Sequence, residues 1–369
     1  MKLRTKGLST FTTIAALAIV AVLTAGIVYF AVSSTSQTTQ TSTTTITSTV
    51  IQSTTTTATR TYKMALVLGG DETDAGWSAV AIQASNVIHE KYGWSVDISR
   101  DVAFPDQARV LTDYAQRGYD LIWTHGGQFI GDTFTVANNF NNTFFAQVPG
   151  PANFAPPNVV SLGPSFQVTG FYKAGVLAGK MTKTNSLGMV FGQWFDYLSM
   201  EGYAFIAGVH SSNPNAKVYV RVVGTWGDPS LGFQIASSLI QTKNVDIIVQ
   251  IADATGRGVI TAAQQYNATV IGTVGDQAVL APYNTLTSVM MNTTGYMETV
   301  VKHVMAGDFK QALGGKVINV NIGYLAPFHN YDSKVPQSVK DLLVATEQGM
   351  QNGSIAVPQT VTQDPPPDP

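Results

Sequence analysis

From Tyr62 onward, short apolar runs alternate with longer stretches in which apolar positions recur every three or four residues. The first kind predicts buried strands and the second amphipathic helices. KMALVLGG (63–70) is a strand ending in glycines, and residues 77–92 place Val80, Ala84, Val87, Ile88 and Tyr92 along one side of a helix. SVDISRDV is the next strand and FPDQARVLTDYAQRGY the next helix; DLIWTHGG (120–127) and NVVSLG (158–163) are the third and fourth strands. The pattern then restarts. GFYKAGVLAGKMTK is a helix with small residues for close packing, LGMVFG (187–192) a strand, and YLSMEGYAFIAGVHSSN a helix. KVYVRVVGTW (217–226) is a strand, followed by the helix DPSLGFQIASSLIQT with Asp228 as N-cap and Pro229 at its first position. VDIIVQIAD (245–253), the helix GRGVITAAQQYN and the strand ATVIGTVGD (268–276) come next, and TLTSVMMN and KVINVNIGYLAP read as strands that cross back between lobes. Short apolar strands separated by helices build parallel sheets covered on both faces. The expected architecture is therefore α/β, two doubly wound parallel-sheet lobes in series. Lobe 1 takes residues 61–167 plus about 284–325, lobe 2 takes 168–283 plus about 326–357, and 358–369, with QTVTQDPPPDP, reads as a disordered tail.

The first sixty residues follow a different pattern. A basic start, MKLRTKGLS, leads into FTTIAALAIVAVLTAGIVYFAV (11–32), which has no charge. At about 1.5 Å per residue that run crosses a hydrocarbon core of roughly 30 Å, with the basic end cytoplasmic and the rest outside. It is longer than the apolar core of a cleaved signal, about 7–15 residues, which favours a retained anchor in residues 1–32. KGLS also resembles archaeal prepilin-type signals processed after a glycine such as Gly7, which would keep the helix. Residues 33–60 are dominated by Ser and Thr, cannot bury a core and predict an extended stalk open to O-glycosylation.

Composition narrows the function. The chain has 369 residues, a net charge of −2 and no Lys/Arg cluster in its body, so the footprint of a nucleic-acid binder is missing. There is no Cys, and the five His show neither HxxxH nor HExxH spacing, so no metal site is expected. No GxGxxG follows the first strand, and neither GxxxxGK[ST] nor GxSxG occurs, so no cofactor and no catalytic residue are assigned.

Ligands of open parallel sheets bind outside the carboxyl ends of the strands. Those ends carry a consistent chemistry here. GGDETDAGW (69–77) brings Asp71, Glu72, Asp74 and Trp77; the third strand brings Trp123, Thr124, His125 and Gln128. The second lobe brings Gln193, Trp194 and Asp196, then Trp226 and Asp228, then Asp253, then Asp276 and Gln277. Four of the five tryptophans fall at these ends, and the fifth, Trp94, opens a strand. Tryptophan most often serves a core and a polar turn most often caps a helix; four indoles at one edge favour stacking platforms. Flat rings with carboxylates suit a heterocycle carrying hydroxyls and N–H groups. Anionic ligands are disfavoured, Arg257 at a helix start being the main basic exception. Paired carboxylates also occur in glycoside hydrolysis, so an external carbohydrate-active enzyme remains an alternative.

The same segments resemble the basic membrane protein (BMP) family, solute-binding proteins of ABC importers that take up purine nucleosides. GDETDAGWSAVAIQ resembles its first-strand motif in the Asp-x-Gly-Trp branch, and GFYKAGVLAGKMTKTNSLGMVFG its helix–strand segment. GTWGDPSLGFQIASSLI resembles its Trp-x-Asp-Pro segment; VIGTVGDQ and LTSVMMN resemble its Gly-x-Asp-Gln and Thr-Ser segments. The match runs in order over about residues 62–328, with Met290 and Met291 where many nucleoside binders carry a lysine. The resemblance implies a type I periplasmic-binding-protein fold, lobes joined by a hinge, a ligand cleft between them and an ABC permease as partner. By motif position, stacking passes to Trp77 and Trp226, ribose binding to Asp276, and a further contact to Asp253. Trp123, Trp194 and His125 stand on strand-end position alone. A sugar or small-signal receptor of the same fold is the competing reading. The family's lipobox cysteine is absent, so anchoring falls to the helix at 11–32, an arrangement seen in archaeal binding proteins.

Overall fold

The computed structural model describes residues 60–151, 155–163, 165–319 and 322–369, so the expected anchor and stalk lie outside the described residues. The first lobe opens with strand β1 (Lys63–Leu68), helix α1 (Trp77–Tyr92), β2 (Ser95–Ser99) and α2 (Gln107–Gln116). It continues with β3 (Leu121–His125), α3 (Ile130–Asn139), β4 (Phe144–Val148) and β5 (Val159–Leu162). The second lobe holds α4 (Val168–Met181), β6 (Ser186–Phe191), α5 (Asp196–Ser212), β7 (Lys217–Val222) and α6 (Pro229–Lys243). β8 (Ile247–Ile251), α7 (Asp253–Gln265), β9 (Thr269–Val274) and β10 (Thr285–Met291) complete its main run. The chain then returns to the first lobe for α8 (Thr293–Ala306), α9 (Phe309–Ala312) and β11 (Val317–Ile318), and ends in the second with β12 (Gly323–Leu325) and α10 (Gln337–Gln351).

The two sheets share one strand order, β11-β5-β4-β3-β1-β2 and β12-β10-β9-β8-β6-β7. All pairings are parallel except β10 with β12. Leu66 of β1 sits opposite Ile98 on one side and Trp123 on the other, so β1 is central and both its faces must be covered. They are: Met64, Leu66 and Leu68 enter one core with α1 and α8, while Ala65 and Val67 enter another with α2 and α3. The alternation follows the period of two along a strand. The second sheet is wrapped in the same way by two further cores.

Several expectations shift. Residues 285–291 are not part of lobe 1: β10 pairs with β9 in the second sheet, because its apolar residues continue that sheet's core, and the crossing follows it. The chain passes between sheets three times, after β5, after β10 and after β11. The expected fourth strand is the fifth, since α3 and β4 intervene. The tail has no helix or strand, yet it is not loose: Thr362 and Asp368 bond to the second lobe. Asp228 does cap α6, its Oδ1 accepting from Leu231 N at 2.9 Å.

The small residues of α4 let it lie against α5. A Cβ on Gly175 would sit 2.1 Å from the Phe205 carbonyl oxygen, and one on Gly208 would sit 2.1 Å from that of Tyr172. Both obstacles are backbone, so neither can rotate away. Gly208→Val is expected to lower stability by about 1–3 kcal/mol or more, read as a fall in the urea midpoint; an unchanged midpoint would mean the two helices separate without cost.

Candidate functional site

A cavity of about 1110 Å³ lies between the carboxyl ends of the two sheets. Its position follows from topology. In each sheet the chain order reverses between the first and third strands of that lobe, β1/β3 and β6/β8. Loops leaving these neighbours turn to opposite faces and open a crevice. The loops after β1, β3, β6 and β8 all contribute lining residues.

The loop after β1 is wound tightly. Asp71 accepts from Thr73 N at 2.8 Å and starts a 3₁₀ turn, which Ala75 ends at φ 50°. Asp74 is buried and takes three backbone N–H groups at the start of α1: Gly76 at 2.9 Å, Ser78 at 2.6 Å and Ala79 at 3.1 Å. Its carboxylate thus answers orphan donors of a helix end while lining the cavity. The cap holds Trp77 in place. Trp77 donates from Nε1 to the His125 carbonyl at 3.2 Å, and its ring stacks on the His125 ring at 4.1 Å between centroids.

His125 and Trp123 do not face the cavity. Both lie on one face of β3 and are fully buried beneath Trp77. Trp123 is a core residue, edge-on to Tyr296 at 5.4 Å, and its Nε1 donates to His125 Nδ1 at 3.4 Å. That bond assigns the proton to Nε2. Burial pushes the His125 pKa down to about 3, so the ring stays neutral. The pair serves as a support for Trp77.

The second wall is built from α5 and the loops after β6, β7 and β8. Trp194 stands edge-on to Phe191 at 4.9 Å and donates to the Thr362 carbonyl at 3.1 Å. Trp226 covers Gly192 so closely that a Cβ there would be 2.3 Å from its ring. Tyr197 and Glu201, one turn apart on α5, also line the cavity. Glu201 is buried and its Oε1 has no partner, so burial raises its pKa well above the usual carboxyl value. Asp253 opens α7 at φ 47°; burial first, and then the charge of Asp74 across the cleft, push it up to about 7. The Tyr197 hydroxyl is raised by burial and by the acids Glu201 and Asp253. Trp77, Phe166 and Tyr197 form an aromatic chain between the lobes, with 6.2 Å between successive centroids. Among the described residues, no Lys, Arg or His lines the cavity.

Of the sequence candidates, then, Asp74, Trp77, Trp194, Trp226 and Asp253 meet around one cavity. Asp276 and Gln277 do not line it. Asp276 is occupied by Ala278 N at 3.1 Å and by His329 Nε2 at 2.7 Å. Gln277 is buried in an amide cluster with Gln250 at 2.5 Å, and its Nε2 reaches the Ala75 carbonyl of the other lobe at 3.3 Å. Arg257 is likewise spent on the Thr73 carbonyl at 3.0 Å. Tyr197, Glu201 and Phe166 escaped the sequence reading. The signal for the first two was a Tyr and a Glu at i, i+4 directly after a strand end, in DYLSME.

Residues 61–324 match the family model for Bmp, ABC transporter substrate-binding protein PnrA-like. A purine-binding protein of Brucella abortus is 28% identical over 79% of this chain and 82% of its own. A Haloferax volcanii relative, whose name proposes glucose binding for an ABC transporter, is 27% identical over 77% of this chain and 71% of its own. The crystal structure of an ABC transporter solute-binding protein from Aeropyrum pernix superposes with a TM-score of 0.71 at 18% identity, over 81% of this chain and 94% of that one. The match over residues 61–324 makes the chain a member of the Bmp family of ABC transporter substrate-binding proteins, and its two parallel-sheet lobes with a cleft between their strand ends are the type I periplasmic-binding-protein fold.

Proposed function

We propose that this protein captures a purine nucleoside or a free purine base outside the cytoplasm and hands it to the permease of an ABC importer. The observation that carries the reading is a cavity walled by indole and phenyl rings and edged by carboxyls, with no basic side chain along its described lining. One face of Trp77 is taken by His125, and the residue lines the cavity, where it can meet a flat ring. Asp253, half-buried, and Glu201, buried, are acceptors for ring N–H or ribose hydroxyl donors. A phosphate would enter a site that holds only like charge, so nucleotides are disfavoured. The Brucella abortus relative is named for purine binding, which agrees. The role is binding with lobe closure, and the apolar run at 11–32 would tether the protein to the membrane. A hexose is the second reading, since aromatic faces and carboxylates also suit sugars and the Haloferax volcanii relative's name points there.

A thermal-shift panel of nucleosides, free bases and sugars on the full-length chain separates these. Ligand at about 100 times its dissociation constant adds roughly 2.7 kcal/mol. Shifts with adenosine, guanosine or inosine and none with hexoses are expected; the reverse pattern would replace the purine reading with the sugar one. Trp77→Ala should weaken binding more than about tenfold through lost stacking, measured by calorimetry. Asp253→Asn should weaken nucleosides by about tenfold, one hydrogen bond to a charged group. Asp276→Asn should leave affinity within about twofold, since its carboxylate lies outside the cavity lining and is taken by Ala278 N and His329.

The raised pKa of Asp253 fixes a pH sign. The free protein holds that proton up to about pH 7, because burial disfavours the carboxylate. A ligand that donates to Asp253 binds the ionised form, so affinity should fall as pH drops below about 7, by up to about tenfold per unit. The Asp253→Asn variant should lose the part of this dependence centred near pH 7, leaving what Glu201 contributes. Affinity that rises on acidification would instead make the protonated carboxyl the donor.

A further inference from the structure

Resting on the binding role just proposed, we infer that the segment 359–369 is a third wall of the ligand cavity, in which Thr362 and Gln363 are ligand-contacting residues and the segment positions Trp194. It lies outside residues 61–324, which define the family. Both residues line the cavity, beside Trp194 and Tyr197.

The segment is pinned at two ends. At the cavity end, Ser199 Oγ accepts from Thr362 N at 3.2 Å and lies 3.3 Å from the Thr360 carbonyl, its proton going to the nearer Asp196 carbonyl at 2.8 Å. The Thr362 carbonyl takes the Trp194 indole N–H at 3.1 Å. At the far end, Asp368 receives both terminal nitrogens of Arg221 at 2.6 and 3.0 Å, with Lys243 at 3.4 Å. Hydrogen bonding from Arg221 holds that carboxyl down to about 2. A bidentate guanidinium pair fixes orientation as well as distance.

Between the pins run Pro365, Pro366 and Pro367. Proline fixes φ and has no N–H to satisfy, so this stretch holds an extended course with no hydrogen bonds of its own. Little chain entropy is lost when it is laid on a surface. Every anchor belongs to the second lobe: Trp194 and Ser199 at the start of α5, Arg221 in β7 and Lys243 at the end of α6. The segment therefore travels with that lobe when the cleft opens. Gln363 also brings a side-chain amide, a donor and an acceptor, to a rim otherwise rich in carboxyls.

The test compares the full-length chain with a chain stopped after Pro358, and with Asp368→Lys alone and combined with Arg221→Asp. Two readouts are taken. Dissociation of the ligand found by the panel is followed by stopped-flow fluorescence, and ligand-free protein labelled with 5-fluorotryptophan is examined by fluorine NMR, with Trp194→Phe assigning the resonance. Stopping the chain should raise the off-rate roughly tenfold, the size of one or two lost hydrogen bonds, and move the Trp194 resonance while the others stay. Asp368→Lys should act in the same direction and the reversed pair should restore both. An unchanged Trp194 resonance overturns the inference even if no nucleoside binds, and an unchanged off-rate overturns it when the Trp194 resonance does move. Failure of every nucleoside with a shifted Trp194 resonance would count against the purine reading alone.

Discussion

The parallel pairing of β1 with strands on both sides is the constraint on which the rest depends. Once β1 lies between β2 and β3, and β6 between β7 and β8, the connections on either side must leave by opposite faces. The strand ends there cannot be covered by their own crossovers. Two sheets with this defect, facing each other, leave a cavity whose lining is supplied by loops. Those loops carry the chemistry because they have no other burial to perform. Three crossings of the chain between the sheets join the lobes.

Charge gives the cavity its character. Asp74 and Asp253 approach from different lobes, and Glu201 lies behind them on α5. Asp74 is stabilised by three backbone donors at a helix N-terminus. Asp253 and Glu201 have no such compensation, and burial holds their protons. One carboxyl thus has its oxygens taken by backbone donors, while two are left to respond to what enters. Acceptors of this kind in a low-dielectric space discriminate strongly, because a ligand without matching donors leaves a buried polar group unsatisfied.

Much of the fold was legible because strands buried on both faces are almost wholly apolar, as in MALVL and IIVQI, and because caps such as Asp228 announce their helices. α3 and β4 were not, since IGDTFTVANN is rich in weak helix formers and FFAQV is a short run. In the site, Trp77 and Asp253 were visible from strand-end position. Trp123 was misplaced for a reason of geometry: in a strand buried on both faces, no polar side marks which face looks to the cavity. Glu201 was hidden because a glutamate within a helix ordinarily marks a solvated face. The tail was read from proline content, which shows that it forms no core and says nothing of the surface it lies against.

Two polar contacts tie the second lobe to the turn that carries the platform. Gln277 and Arg257, both from the second lobe, donate to the carbonyls of Ala75 and Thr73 in the turn that precedes α1. Bonds of this kind are worth about 1 kcal/mol each, somewhat more with a charged partner. Their acceptors belong to the same short loop that Asp74 clamps and that presents Trp77. In the role proposed, a ligand stacked on Trp77 would steady the carbonyls that the second lobe grips, and closure would steady the platform. By linkage, binding and closure would then favour one another, with the aromatic and the acceptor of GGDETDAGW in one tight turn as the shared element.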